Sequence, residues 1–232
     1  MFKISSFVLI AFATLVGCTN PQNARITPVA PLPDKSARLA ESSFEAMGGS
    51  RWHKVVRIKF TFNVKEDGKE LVKATHDWRV RSGLDTVTWN GKTVTVDLNN
   101  PDATEETKEA YARWTNDSYW LLAPLKMRDP GTKLEYVSRQ DIAGAPVDVV
   151  RLSFATDLGL TPGDQYLIYI DPKTFRWRKW DYMPNAETAK TFTWEGYQRI
   201  NGLLLSTMHR SGKLEISFTE IQIQTAADVV YQ

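Results

Sequence analysis

The sequence predicts a mainly β, α+β protein: a curved antiparallel sheet of about ten or eleven strands forming a half-open barrel, with an N-terminal helix and a central helical lid or plug. Three observations point there. Beyond the first fifty or so residues the chain reads as one short apolar/polar alternation after another, the period-two pattern of strands with one buried face. Several joints between these runs are dipeptides such as Asp67-Gly68, Asn90-Gly91 and Asn201-Gly202, which suit the positive φ angles of tight hairpins. A single long helix-like stretch, Asn100 to Gly131, interrupts the series in its middle. A helix cannot join a sheet edge, so it buries its apolar stripe against a sheet face. An open sheet of that many strands curls, and the helix fills or lids its concave side.

The chain opens with a secretion signal. Lys3 supplies the positive end and Phe7 to Val16 an apolar run too short to span a bilayer as a stable helix. Leu15-Val16-Gly17-Cys18 then matches the bacterial lipobox, in which the cysteine is diacylated before cleavage. Residues 1–17 are therefore expected to be removed, leaving Cys18 as the lipid attachment point. It is the only cysteine in the chain, so no disulfide competes for it. Acyl chains contribute about 0.8 kcal/mol per buried methylene, enough for lasting anchorage. Thr19 rather than an aspartate follows, which favours the outer membrane, periplasm-facing. Residues 18–34, with prolines at 21, 28, 31 and 33 and no periodicity, read as a disordered tether. One half-barrel domain, 35–232, remains.

Within that domain, Lys35 to Gly49 places Leu39, Ala40, Ser43, Phe44 and Met47 on one helical face, with Gly48-Gly49 as its close. Val55 to Lys65 alternates with Val56, Ile58, Phe60, Phe62 and Val64 inward, and Glu70 to Arg81 with Val72, Ala74, His76, Trp78 and Val80 inward. Leu84 to Trp89 and Thr93 to Leu98 form the next hairpin. In the central segment Asp102 and Glu105 have capping-box spacing, and Ala110, Tyr111, Trp114, Ser118 and Leu121 recur helically until Pro124 stops the run. Asn116-Asp117 offers a start for a second short helix. Strands then follow over Leu134 to Asp141, Val147 to Ala155, Gln165 to Asp171, Phe175 to Met183, Ala189 to Arg199, Leu203 to Arg210 and Leu214 to Gln224. In the last, the inward phase slips after Phe218, which predicts a bulge near Thr219-Glu220.

Composition narrows the function. With 29 basic and 27 acidic residues and no basic cluster, nothing suggests nucleic acid. Tryptophan is abundant, eight residues, and suits half-wet cavity walls as well as cores. Chemistry is sparse. His53, His76 and His209 show no metal-ligand spacing, and no nucleophile elbow or phosphate loop is present. His76 and Asp77 are strand neighbours that point to opposite faces. Glu195, Asp171 and Asp181 could in principle meet in a glycosidase-like cleft, but turn and edge positions explain at least two of them more simply. No metal, cofactor or catalytic residue is assigned.

Ala46-Met47-Gly48-Gly49-Ser50-Arg51-Trp52, the segment Asn116-Asp117-Ser118-Tyr119-Trp120-Leu121-Leu122 leading to Asp129-Pro130-Gly131, and the hairpin Tyr166 to Thr174 together resemble the LolA/LolB-type superfamily of periplasmic lipoprotein carriers. The likeness covers most of Lys35 to Gln232. It implies a half-open barrel whose apolar cavity, lidded by helices, receives acyl chains. The expected function is a monomeric, non-catalytic envelope lipoprotein that holds an acyl chain, lipid or lipoprotein. The ligand surface would be Phe60, Phe62, Trp78 and Trp89, covered by Trp114, Tyr119 and Trp120. Two alternatives stand beside it: a structural or protein-interaction lipoprotein with a self-filled core, and an enzyme whose site, centred on His76, is unrecognised.

Overall fold

The computed structural model describes residues 34–154, 163–184 and 188–229; the signal, Cys18 and most of the tether lie outside them. The first helix, α1 (Lys35–Ala46), begins where the Asp34 carboxylate accepts from the Ala37 N–H at 2.9 Å. Leu39, Ala40, Ser43, Phe44 and Met47 are buried, as the helical spacing predicts. Gly48 ends the stripe at φ +91°, where a Cβ would stand 2.4 Å from the Gly202 carbonyl oxygen. That close approach lets the Met47 carbonyl accept from the Leu204 N–H at 2.9 Å, stitching the helix end to the sheet. Gly49 does not complete the cap; it starts a further helical turn, α2 (Gly49–Trp52).

Four strands follow, β1 (Val55–Glu66), β2 (Lys69–Arg79), β3 (Leu84–Trp89) and β4 (Lys92–Asp97). After the central helix α3 (Glu105–Lys126) come β5 (Thr132–Ile142), β6 (Ala145–Phe154), β7 (Gln165–Ile170), β8 (Trp177–Met183), β9 (Lys190–Thr193), β10 (Glu195–Ile200), β11 (Leu203–Ser211) and β12 (Leu214–Thr225), closed by the short helix α4 (Ala226–Val229). They form two antiparallel sheets, β10-β11-β12-β1-β2-β3-β4 and β5-β6-β7-β8-β9, neither closed on itself. The run expected over Ala189 to Arg199 is two strands, which accounts for twelve among the described residues where ten or eleven were expected. The break falls at Trp194: its backbone N–H donates to the Arg178 carbonyl of β8 at 2.8 Å, while the hydroxyl of Thr193 accepts from the backbone N–H of Arg210 in β11 at 3.0 Å. The chain thus passes from one sheet to the other at that residue.

The hairpin dipeptides adopt the backbone that their residue types favour, with φ of 49° and 78° at Asp67-Gly68 and 47° and 76° at Asn90-Gly91. The predicted bulge is present: Lys59 faces Gln222 but Thr61 faces Thr219, and Glu220 takes φ 55°. From Ile58 onward the inward phases of β1 and β2 are those expected, with Ile58, Phe60, Phe62, Ala74, His76 and Trp78 buried, but at the start of β1 a register shift buries Val55 where Val56 was expected. The opposite face is polar, with Thr219, Thr61, Thr75, Thr88 and Thr93 aligned across five strands.

Two expectations about α3 are corrected. Its cap is Thr104, which exchanges side-chain and backbone hydrogen bonds with Thr107 at 3.2 and 2.9 Å, while Asp102 sits in a preceding 3-10 turn, Pro101–Ala103. The helix also runs unbroken through Asn116-Asp117 and past Pro124 to Lys126. Pro124 gives up the bond to the Trp120 carbonyl and its ring crowds that oxygen, a cost that the burial of Leu121, Leu122, Ala123 and Leu125 around it offsets.

Candidate functional site

The inner faces of both sheets meet α3 in one layer. Alternation on β1 and β2 turns Phe60, Phe62, His76 and Trp78 towards the helix, and helical spacing brings Ala110, Trp114, Asp117, Ser118 and Leu121 towards the strands. From the five-stranded sheet come Tyr166, Trp177, Trp180 and Phe192, joined by Trp194.

Trp180 is the centre of the aromatic part. Its ring lies 4.5 Å from Trp120, 4.8 Å from Tyr166, 5.1 Å from Trp194 and 6.1 Å from Tyr119, centroid to centroid. Trp120 also meets Phe192 edge-on at 4.8 Å, and Trp114 meets Trp78 edge-on at 5.2 Å. Each such pair contributes about 0.5–1.5 kcal/mol beyond its buried area. The helix aromatics Trp114, Tyr119 and Trp120 remain half-buried, whereas Trp78 and Trp180 are buried. Among the described residues the indole N–H groups of Trp78, Trp114, Trp180 and Trp194 and the hydroxyl of Tyr119 lie buried without a hydrogen-bond partner. Trp177 differs: its N–H donates to the buried Ser43 hydroxyl at 3.0 Å.

Of the residues expected to line a ligand surface, Phe60, Phe62, Trp78, Trp114, Tyr119 and Trp120 share this layer. Trp89 does not. It packs with Ala74, Val87, Val96 and Ala110 under the first turns of α3, its N–H donating to Glu109 at 2.9 Å. Two surface hollows of about 340 and 280 Å³ lie outside this layer, one beside the β2–β3 strands at Glu70, Lys73, Thr88 and Trp89, the other between α1 and Phe175.

His76 is fully buried, as its register predicts, but in company the sequence reading missed. Its Nδ1 lies 2.7 Å from Asp85 on β3 and its Nε2 3.0 Å from Asp117 on α3, and its ring stacks on Phe60 at 4.5 Å. Burial pulls the pKa down, but hydrogen bonds to Asp117 and Asp85 overcome it and raise it to about 9. A neutral imidazole has one N–H, which would leave the second carboxylate facing a lone pair; the imidazolium serves both. The signal for the two partners was available: Asp85 is in phase with Val87 and Trp89, and Asp117 is three residues after Trp114 on the buried stripe.

His209 has the opposite setting. It too is fully buried, with Nδ1 at 3.1 Å from the Thr193 carbonyl and rings of Trp194 at 4.4 Å and Trp120 at 5.3 Å. Burial lowers its pKa to about 3 against the pull of the Thr193 and Trp120 carbonyls, so it stays neutral.

The carboxylates weighed for a hydrolytic cleft do not form one. Asp171 binds Arg178 and its own turn, Asp181 takes Thr191, Tyr169 and Lys179, and Glu195 pairs with Arg210. Among the described residues no group of three His, Cys, Asp or Glu side chains could hold a metal ion.

Comparison with known proteins finds distant structural likeness. No family model matches the chain, and no curated protein matches it. Solved structures similar to it include a LolA superfamily protein from Nitrosomonas europaea, at 9% identity over 83% of this chain and 97% of that one with a TM-score of 0.49. Another is a DUF1329 family protein from Desulfovibrio piger, at 8% identity over 83% and 95% with a TM-score of 0.47. The expected half-open barrel with a helix inside it is built from two unclosed antiparallel sheets, not from one curved sheet.

Proposed function

We propose that this chain is a non-catalytic envelope lipoprotein, anchored to the outer membrane through acylated Cys18 and facing the periplasm. As a monomer it holds an apolar ligand, an acyl chain, lipid or lipoprotein, in the aromatic layer beneath α3. The observation that carries this reading is the seam of half-buried Trp114, Tyr119 and Trp120 against a buried wall in which the indole N–H groups of Trp78, Trp180 and Trp194 have no partner among the described residues. An unpaired buried donor costs about 1–3 kcal/mol, so the closed layer is not optimal by itself. An ester or amide oxygen on an inserted chain would accept from these groups, while its methylenes contribute about 25 cal/mol per Å² buried. Because the rings already touch, entry requires α3 to lift. A non-catalytic role accords with His76, whose two ring nitrogens are occupied by carboxylates and closed to solvent.

Mature, delipidated protein titrated with a fluorescent fatty acid should bind it saturably, and Trp120→Glu or Trp114→Glu should weaken binding at least tenfold. Complete absence of binding, with no lipid found by mass spectrometry in protein taken from its native membrane, overturns the reading. The direct contact of Trp120 with Trp180 and Phe192 then favours the alternative of an interaction lipoprotein with a self-filled core.

A further inference from the structure

The buried Asp85–His76–Asp117 cluster joins α3 to the seven-stranded sheet across a contact that is otherwise mainly apolar; the bond from Trp89 to Glu109 lies at the exposed start of the helix. Asp85 on β3 lies diagonally across from His76 on β2, whose direct partner is Val87, so their bond of 2.7 Å is made within one sheet and does not need α3 to be seated. The bond from His76 to Asp117, 3.0 Å, is the one that crosses to the helix. Asp117 Oδ1 accepts from the side chain of Asn116 next to it at 2.8 Å, which orients the carboxylate without tying it to the sheet. The geometry points to His76–Asp117 as a latch: a buried charged tie at the middle of α3 whose breaking lets the helix rise from the aromatic layer.

Three features make the tie suited to opening rather than to permanent closure. The cluster puts one imidazolium against two carboxylates, so it buries a net negative charge. Asp85 Oδ1 is buried and has no hydrogen-bond partner among the described residues, so that charge is incompletely paired. Among the described residues the groups facing His76 are Asp85 from β3, Asp117 from α3 and the uncharged ring of Phe60 from β1, with no second cation to offset the imbalance. Lifting α3 carries Asp117 back to water and leaves an evenly matched His76–Asp85 pair behind. Part of the cost of exposing aromatic surface is thereby returned as relief of buried charge. The tie also depends on the proton count of His76, since its loss places a ring lone pair opposite one carboxylate.

The tie holds whether or not the proposed ligand is the right one, and its test reads the helix rather than a ligand. Hydrogen–deuterium exchange of the full mature chain should show amides of 105–126 exchanging at least tenfold faster in Asp117→Asn, with amides of β6 to β8 unchanged. Exchange that accelerates equally across both sheets, or not at all in α3, overturns the latch. Should Asp117→Asn fail to fold, the unsubstituted protein supplies the same answer. Its α3 amides, corrected for the intrinsic pH dependence of exchange and compared with β6 to β8, should open selectively as pH rises from 7 to 10, and a ratio flat across that range rejects the proposal. A faster on-rate for fluorescent fatty acid in Asp117→Asn extends the latch to ligand entry. Exchange faster in α3 with no ligand bound by either protein leaves the latch standing and removes only the carrier function.

Discussion

One turn of α3 separates two different ways of holding a helix on a sheet. At Asp117 the helix meets the seven-stranded sheet through a buried charge, on a histidine that carries its proton. At Trp120 it meets the five-stranded sheet and β11 through rings, beside a histidine that refuses a proton. His76 and His209 are equally buried, so burial alone does not set their state. What differs is the acceptor. Carboxylates on both sides repay the desolvation of an imidazolium, whereas a carbonyl dipole does not. The polar contact therefore brings direction and a dependence on pH, and the aromatic contact brings most of the stability.

The largest effect tests the aromatic side. Trp180→Ala removes the ring that five neighbours share and should lower unfolding free energy by about 3–5 kcal/mol in urea denaturation. A loss below about 1 kcal/mol would mean that the layer collapses easily or is not closed in solution.

The two histidines then predict opposite pH limbs. His209 has a folded pKa of about 3, below its unfolded value near 6.5, so the unfolded chain binds the extra proton. Its contribution is complete above pH 6.5 and falls as pH drops towards 3, by up to roughly 4 kcal/mol. His209→Phe should remove that acid limb while leaving stability near pH 7 almost unchanged; parallel acid curves for the two proteins would contradict the assignment. His76 is raised to about 9, so the folded chain holds the extra proton. Its contribution is complete below pH 6.5 and is lost as pH rises through 9, amounting to roughly 3 kcal/mol. Comparing denaturant midpoints of the unsubstituted protein and Asp117→Asn from pH 6 to 10 reads this directly, since the variant should show a shallower alkaline loss.

The aromatic side was far more legible in the sequence than the charged one. Period-two alternation with Ile58, Phe60 and Phe62 inward, or Ala74, His76 and Trp78 inward, is a local signal that survives folding because a register slip would expose every apolar residue at once. The slip of phase after Phe218 located a bulge for the same reason. Asp85 and Asp117 were passed over because a charged residue is ordinarily read as marking the outer face, and what keeps these two inside is a histidine 9 and 41 residues away. The break at Trp194 was equally hidden. Thr191 to Trp194 continues the alternation, and only its pairing with Arg178 in the other sheet ends the strand. Capping by Thr104 rather than Asp102 turned on which of two nearby oxygens could reach an N–H, a choice made by the 3-10 turn that precedes the helix.

The smallest predicted effect asks whether the unpaired indoles under α3 differ from ordinary core tryptophans. Trp89 is the internal control: a buried indole at the other end of the same helix, with its N–H on Glu109 at 2.9 Å and Arg113 lying 4.9 Å over its ring. Trp89→Phe and Trp180→Phe remove similar volume, so their cavity costs are comparable. Trp89→Phe also breaks a hydrogen bond to a charged acceptor, although Glu109 is exposed and regains water. Trp180→Phe instead deletes a buried donor that had no partner among the described residues, which relieves a penalty. Trp89→Phe should therefore cost more than Trp180→Phe by on the order of 1 kcal/mol in denaturant unfolding. If the order is reversed, the Trp180 N–H is paired in solution, by water or by a bound acceptor. Extracting the protein with organic solvent before repeating the pair then separates those two, because only a lipid acceptor would be lost.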